Sequence, residues 1–142
     1  MGSKRELAEL LEEVGLFSRC TTRQRRTVAR HAQIAELPAG TDLVREGEPG
    51  DALFVILDGE AVVRREGTEI NRVGSGAYFG ELAVLDGEPR SATVTAETDV
   101  QVAVIGIRMF RTLLREFSDL AEQLLIGLAS ELREARMATE RS

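Results

Sequence analysis

Residues 79–93 read "FGELAVLDGEPRSAT", a segment rich in small residues that sets Glu81 near its start and Arg90, directly after Pro89, near its end. Gly76 and Gly80 let the backbone approach a ligand closely or take positive φ. The following "ELAVL" predicts one helical turn whose outward N-terminal amides attract an anion. Arg90 leads into the strand-like "SATVTAE", which lets its side chain swing back over the same concavity and pair with a phosphate oxygen. A carboxylate beside a phosphate repels the ligand unless it meets a different part of it. A ribose hydroxyl resolves the conflict by donating to Glu81 while the phosphate meets Arg90 and the amides. The segment therefore points to a nucleotide-like sugar phosphate. The same residues also allow an arrangement without a ligand, with Glu81 and Arg90 paired to each other and Gly80 serving only a turn.

Outward from this segment, residues 33–105 carry short strand-like runs, "ALFVIL", "EAVVRR", "SATVTAE" and "VQVAVI", rich in β-branched residues. Turn signals separate them: "PAG" at 38–40, "EGEPGD" at 46–51, "DG" at 58–59, "EGT" at 66–68 and "GSG" at 74–76. "LDGEAVV" reads as a tight hairpin. Short strands at this spacing predict a mainly β fold with flanking helices, an antiparallel sandwich, jelly roll or barrel.

Two helices precede it. Leu7, Leu10, Leu11 and Val14 form one apolar face of a helix ending at Gly15. A second helix runs from Thr21 or Thr22 to about Ala32, with Gln24 as the capping-box partner of Thr21. After Gly106, "IRMFRTLLREF" and a longer run to about residue 138 carry helical periodicity, divided at Ser118 or Asp119 as N-cap. In the last helix, Ala121, Leu125, Leu128, Leu132 and Ala135 alternate four and three apart. That spacing suits either a homodimer seam or a face laid on the β layer. The expected organisation is one domain over 1–142: helices in 1–32, a β-roll in 33–105 and helices in 107–138.

The chain has 142 residues, 43% hydrophobic and 30% charged, enough for one core and too few for two. Its 18 Lys and Arg against 24 Asp and Glu give a net charge of -6, which argues against a general nucleic-acid binder. No run of eighteen apolar residues occurs and "MGSKRELAELLEE" lacks a signal-peptide core, so the expectation is a cytoplasmic protein without a membrane segment. Cys20 and His31 are single residues of their kind and make no zinc site together. A histidine-rich metal site of the cupin kind fails for the same reason. Ser91 has no histidine near it for nucleophilic catalysis, and hydrolysing a phosphate ester calls for metal ions or a positioned base. A receptor is expected, not an enzyme.

"FGELAVLDGEPRSATV" closely resembles the phosphate-binding cassette of cyclic nucleotide-binding domains, the family found in cAMP-dependent kinase regulatory subunits, catabolite-activator transcription factors and cyclic-nucleotide-gated channels. "PAGTDLVREGEPGDALFVILDGEAVV" resembles the family's glycine-punctuated strands, and "LFSRCTTRQRRTVARHA" its helical lead-in. The resemblance runs from about Leu16 to Phe117. It implies that Glu81 accepts the ribose 2′-hydroxyl and that Arg90 neutralises the cyclic phosphate. Gly80, Leu82 and Ala83 would line the sugar-phosphate with backbone groups, Ser91 would add an amide, and Phe79, Pro89 and Ala92 would complete and shape the loop. Many cGMP-selective members place threonine directly after the arginine. Ser91 stands there in this chain, which favours cAMP over cGMP; no separate cofactor is implied.

The base cap is left open among Leu124, Leu125, Leu128 and the stem of Arg133, each equally suited to core or dimer seam. The resemblance also implies an effector protein or domain, which the sequence does not name. "MGS" suggests a ligand-binding domain excised from a longer protein; the competing expectation is a non-binding structural or oligomerising module.

Overall fold

The computed structural model describes residues 4–80 and 87–140. Two helices lead in, α1 (Lys4–Leu11) and α2 (Thr22–Arg30), joined through a 3-10 turn at Gly15–Phe17. α1 ends at Leu11, earlier than the apolar spacing suggested, because Val14 is extended and the chain tightens into that turn. Leu7, Leu11, Val14, Leu16 and Phe17 are all buried regardless. α2 starts as its sequence demands: the Gln24 amide donates to Thr21 Oγ1 at 3.1 Å and the Thr21 amide to Gln24 Oε1 at 2.8 Å. Lys4 Nζ donates to the Ala29, Arg30 and Ala32 carbonyls, tying the start of α1 to the end of α2.

Among the described residues eight strands follow: β1 (Gln33–Leu37), β2 (Asp42–Val44), β3 (Ala52–Asp58), β4 (Ala61–Arg65), β5 (Thr68–Val73), β6 (Tyr78–Phe79), β7 (Thr93–Ala96) and β8 (Val100–Gly106). They form two antiparallel sheets of four, in the orders β1-β8-β3-β6 and β2-β7-β4-β5. This is a mainly β jelly roll of two sheets rather than one closed barrel. Two helices close the chain, α3 (Ile107–Glu116) and α4 (Ser118–Glu140), with Asp119 in the first turn of α4. Among the described residues no helix is long and apolar enough to cross a membrane.

β3 and β8 are apolar on both faces because both faces are covered. Leu53, Val55, Ala103 and Ile105 join the cluster that includes the helices. Ile56, Val100 and Val102 face the opposite way, into the cluster shared with Leu43, Ala61, Val94 and Ala96 of the second sheet. Alternation along each strand thus serves two cores at once. Cys20 lies in the helical core, where burial pushes its thiol up to about 11. His31 caps α2, its Nδ1 2.9 Å from the Thr27 carbonyl.

The expected "LDGEAVV" hairpin does not form. β3 and β4 lie in different sheets, and the Asp58–Gly59 corner carries the chain from one to the other. Gly59 has φ +96, and a Cβ there would meet Val100 Cγ1 at 2.9 Å. Glu97 and Thr98, in the turn between β7 and β8, take the hydrogen bonds a hairpin would have used: the Glu97 amide donates to Glu60 O at 2.9 Å and the Glu60 amide to Thr98 Oγ1 at 3.1 Å. Each of the two strands has a buried face, and a sandwich buries both only when they face each other across the core.

The last helix also differs from its reading. The face of α4 that meets the body runs through Leu120, Leu124 and Gly127, all buried, while Leu125 is 67% and Leu132 55% exposed. The contact stripe is offset by one residue from the spacing that selected Leu125.

Candidate functional site

The site is built where the second strand of a short pair runs out. β6 pairs with β3 through Phe54↔Phe79 and Val55↔Tyr78. Successive side chains point to opposite faces, so Phe79 faces the inner cluster while Tyr78 packs on the helical one. The Phe79 ring lies parallel to that of Phe54, 5.3 Å between centroids and 7° between planes. Gly80 follows at φ +92, and a Cβ there would lie 2.6 Å from the Ala52 carbonyl oxygen and run into the Arg90 guanidinium.

Arg90 is 6% exposed. Its backbone is clamped to the loop before β3: the Arg90 amide donates to Glu48 O at 2.8 Å, and the Gly47 amide to Arg90 O at 2.9 Å. The side chain then runs inward. Nη2 donates to the Ala52 carbonyl at 2.9 Å and lies 3.4 Å from Asp51 Oδ1, and Cζ sits 5.9 Å from the centre of the Phe54 ring. The Asp51 side chain is 88% exposed, so that ion pair is screened by water and orients the guanidinium more than it stabilises the fold. In the sequence "EGEPGD" reads only as a turn. In the fold it is the arginine's cradle, and a signal was present: two glycines and a proline next to the strand that pairs with β6.

Beside Arg90 opens a cavity of about 350 Å³. Phe79, Gly80, Pro89, Arg90, Ser91 and Ala92 all border it, so the described residues singled out from the sequence converge on one space. Its floor is apolar, from Val44, Val63, Val73 and Val94, and Arg65 and Asn71 stand at its edge. Those two went unnoticed in the sequence, although each is two residues from a floor valine on the same strand and so shares its face. Arg65 Nε donates to the Ser91 carbonyl at 3.2 Å, holding the loop after Arg90 against β4. The Glu46 amide donates to Thr93 Oγ1 at 2.9 Å and anchors the far end of that loop. Glu81, Leu82 and Ala83, together with the helical turn expected at "ELAVL", lie outside the described residues. Among the described residues no group of three or more histidine, cysteine or carboxylate side chains is placed to hold a metal.

A buried arginine beside a glycine that it and a carbonyl crowd, over an apolar floor, suits an anion joined to an apolar group. Residues 34–117 match the family model for the cyclic nucleotide-binding domain. The chain belongs to the cyclic nucleotide-binding domain family. The cAMP-dependent protein kinase regulatory subunit of Aspergillus niger is 39% identical over 119 residues, covering 82% of this chain and 29% of that protein. A cyclic nucleotide-binding domain from Methylobacillus flagellatus superposes with a TM-score of 0.82 at 31% identity, over 97% of this chain and 81% of that one. The regulatory domain of Toxoplasma gondii PKA, solved with cAMP, superposes with a TM-score of 0.74 at 30% identity, over 90% of this chain and 50% of that one. The chain spans less than a third of the length of the fungal regulatory subunits it matches. Cyclic nucleotide-binding domains are regulatory modules, and the site just described lies within the matched span.

Proposed function

We propose that this chain is a cAMP-preferring receptor domain, without catalytic activity of its own, that couples ligand capture to movement of its C-terminal helices and so to an effector protein or domain. The observation that carries the reading is the buried Arg90 side chain facing a cavity of about 350 Å³ with an apolar floor. Arg90 takes the cyclic phosphate, with the backbone of Gly80, Leu82, Ala83 and Ser91 around the sugar-phosphate and Glu81 on the ribose 2′-hydroxyl. Phe79, Pro89 and Ala92 shape the pocket wall. Serine after the arginine favours adenine, and cGMP is the weaker ligand. The relatives named after cAMP support that choice.

Ligand capture draws the 79–92 segment inward, and the buried face of α3, Phe110 and Leu113, repacks with it and carries α4 toward the pocket. The experiment is calorimetric titration with cAMP and cGMP of protein stripped of ligand by unfolding and refolding. Saturation near one cAMP per chain, weaker for cGMP, is the expected result; no heat from either sinks the reading and promotes the structural module. In the same instrument Glu81→Ala should lose most of the preference for cAMP over its 2′-deoxy analogue.

Leu125 and Leu132, seven residues apart and both more than half exposed, support pairing of α4 with a second copy of this chain. Sedimentation of the wild type should then give a dimer that Leu125→Glu with Leu132→Glu converts to monomer; a wild type that sediments as a monomer throughout ends that proposal.

A further inference from the structure

α4 reaches the body of the fold along one stripe. Leu120 and Leu124 are buried, Gly127 follows, and Glu131 is the next residue on that face. At Gly127 the helix comes so close to the 3-10 turn that a Cβ would lie 2.9 Å from the Leu16 carbonyl oxygen and 3.0 Å from that of Gly15. At Glu131 it makes a polar contact with the β layer: Tyr78 donates its hydroxyl proton to Glu131 Oε2. Beyond this point, residues 132–138 are exposed.

Tyr78 is the residue before Phe79 on β6, so one strand of two residues presents Phe79 to the inner cluster and Tyr78 to the helical one, and both border the pocket. Among the described residues that border the pocket, none comes from α4. The hydrogen bond therefore fixes the helix beside the pocket wall, in an arrangement where α4 adds no described residue to the pocket. The seat under the helix is loosely filled, with an apolar cavity of about 170 Å³ among Leu16, Phe110, Leu124 and Leu128. A face over such a cavity makes fewer contacts and lifts at less cost than a close-packed one.

We infer that the Tyr78–Glu131 hydrogen bond is a catch that opposes closure of α4 over the ligand pocket, with Glu131 as a positioning residue for affinity. The inference rests on the proposed cAMP reading and assigns its regulation. Ligand and catch compete through β6: drawing the 79–92 segment inward pulls Tyr78 away from Glu131, and releasing Glu131 frees the helix to close. Removing the catch raises the fraction of chains competent to close, and apparent affinity rises with that fraction.

Glu131 lies outside the pocket, which makes it the clean position to test. Glu131→Ala removes the acceptor. Gly15→Ala displaces it without removing either partner, since a Cβ at Gly15 would run into the Glu131 carboxylate. Glu131→Gln retains an acceptor oxygen. Amide exchange over residues 127–138 without nucleotide, and calorimetric titration with cAMP, are measured on the full chain for all three. Glu131→Ala and Gly15→Ala should exchange faster there and bind cAMP roughly fivefold tighter, as loss of one net hydrogen bond allows. Glu131→Gln should stay near the wild type, an outcome that a purely space-filling role would not require. A Glu131→Ala protein with unchanged or weaker cAMP affinity overturns the catch, provided the wild type binds. A wild type that binds no cAMP defeats the receptor reading instead, and unchanged exchange in Glu131→Ala then overturns the catch by itself.

Discussion

Arg90→Ala should weaken cAMP binding by about 1.5–3 kcal/mol or more, the worth of a charge-assisted hydrogen bond, which is at least tenfold in affinity. The loss should exceed that for most surface arginines because this side chain is only 5% exposed and already oriented by Ala52, Asp51 and the Phe54 ring. Little conformational freedom remains to be lost when the anion arrives. Arg90→Lys should recover only part of the binding, since an ammonium keeps the charge but lacks the planar fork that reaches two oxygens at once. Titration checks binding, and thermal unfolding alongside separates a lost ligand contact from a lost fold. An Arg90→Ala protein that is folded and binds as the wild type does removes the phosphate site from the proposal.

Gly80→Ala should damage both stability and binding. The residue sits at φ +92, where a side chain costs on the order of 1–3 kcal/mol. Its Cβ would also press on the Ala52 carbonyl, 2.6 Å away, and on the Arg90 guanidinium that shares that carbonyl. The unfolding midpoint should fall by roughly 5 °C or more for a chain of this size, with cAMP affinity falling beside it. Gly87→Ala supplies the comparison, because Gly87 has φ +75 with no described atom within 4 Å of a Cβ. It carries the backbone strain without the collision. If Gly80→Ala unfolds and binds as Gly87→Ala does, then the close approach around Arg90 has no functional weight.

The two substitutions mark how far the local pattern could be read. The strand runs, the Thr21–Gln24 capping box and the division between α3 and α4 are short-range features. Each depends on residues within a few positions of one another, so the sequence displays them directly. "LDGEAVV" failed for the opposite reason. A turn signal states that the chain reverses, and whether the flanking strands then pair depends on which neighbours compete for them. β8 and β6 claimed β3, and β5 and β7 claimed β4. The spacing in α4 failed in a similar way: a helix with apolar residues on more than one side has several faces to offer, and the turn at Gly15–Phe17 selected the one through Leu124 and Gly127.

By itself the sequence determined the class of fold, the order of its elements and the segment whose described residues border the candidate pocket, because β-branched alternation, caps and a glycine-and-arginine cassette are written in neighbouring residues. Tertiary structure alone decided that the 46–52 loop cradles Arg90, that Arg65 holds Ser91, and that Tyr78 meets Glu131 across 53 positions of chain. The glycines and proline before β3 mark a special loop, but no neighbouring residue names Arg90, Ser91 or Glu131 as the partner. Those contacts exist only once two sheets and a helix have packed and each buried polar group has taken the nearest geometry that satisfies it.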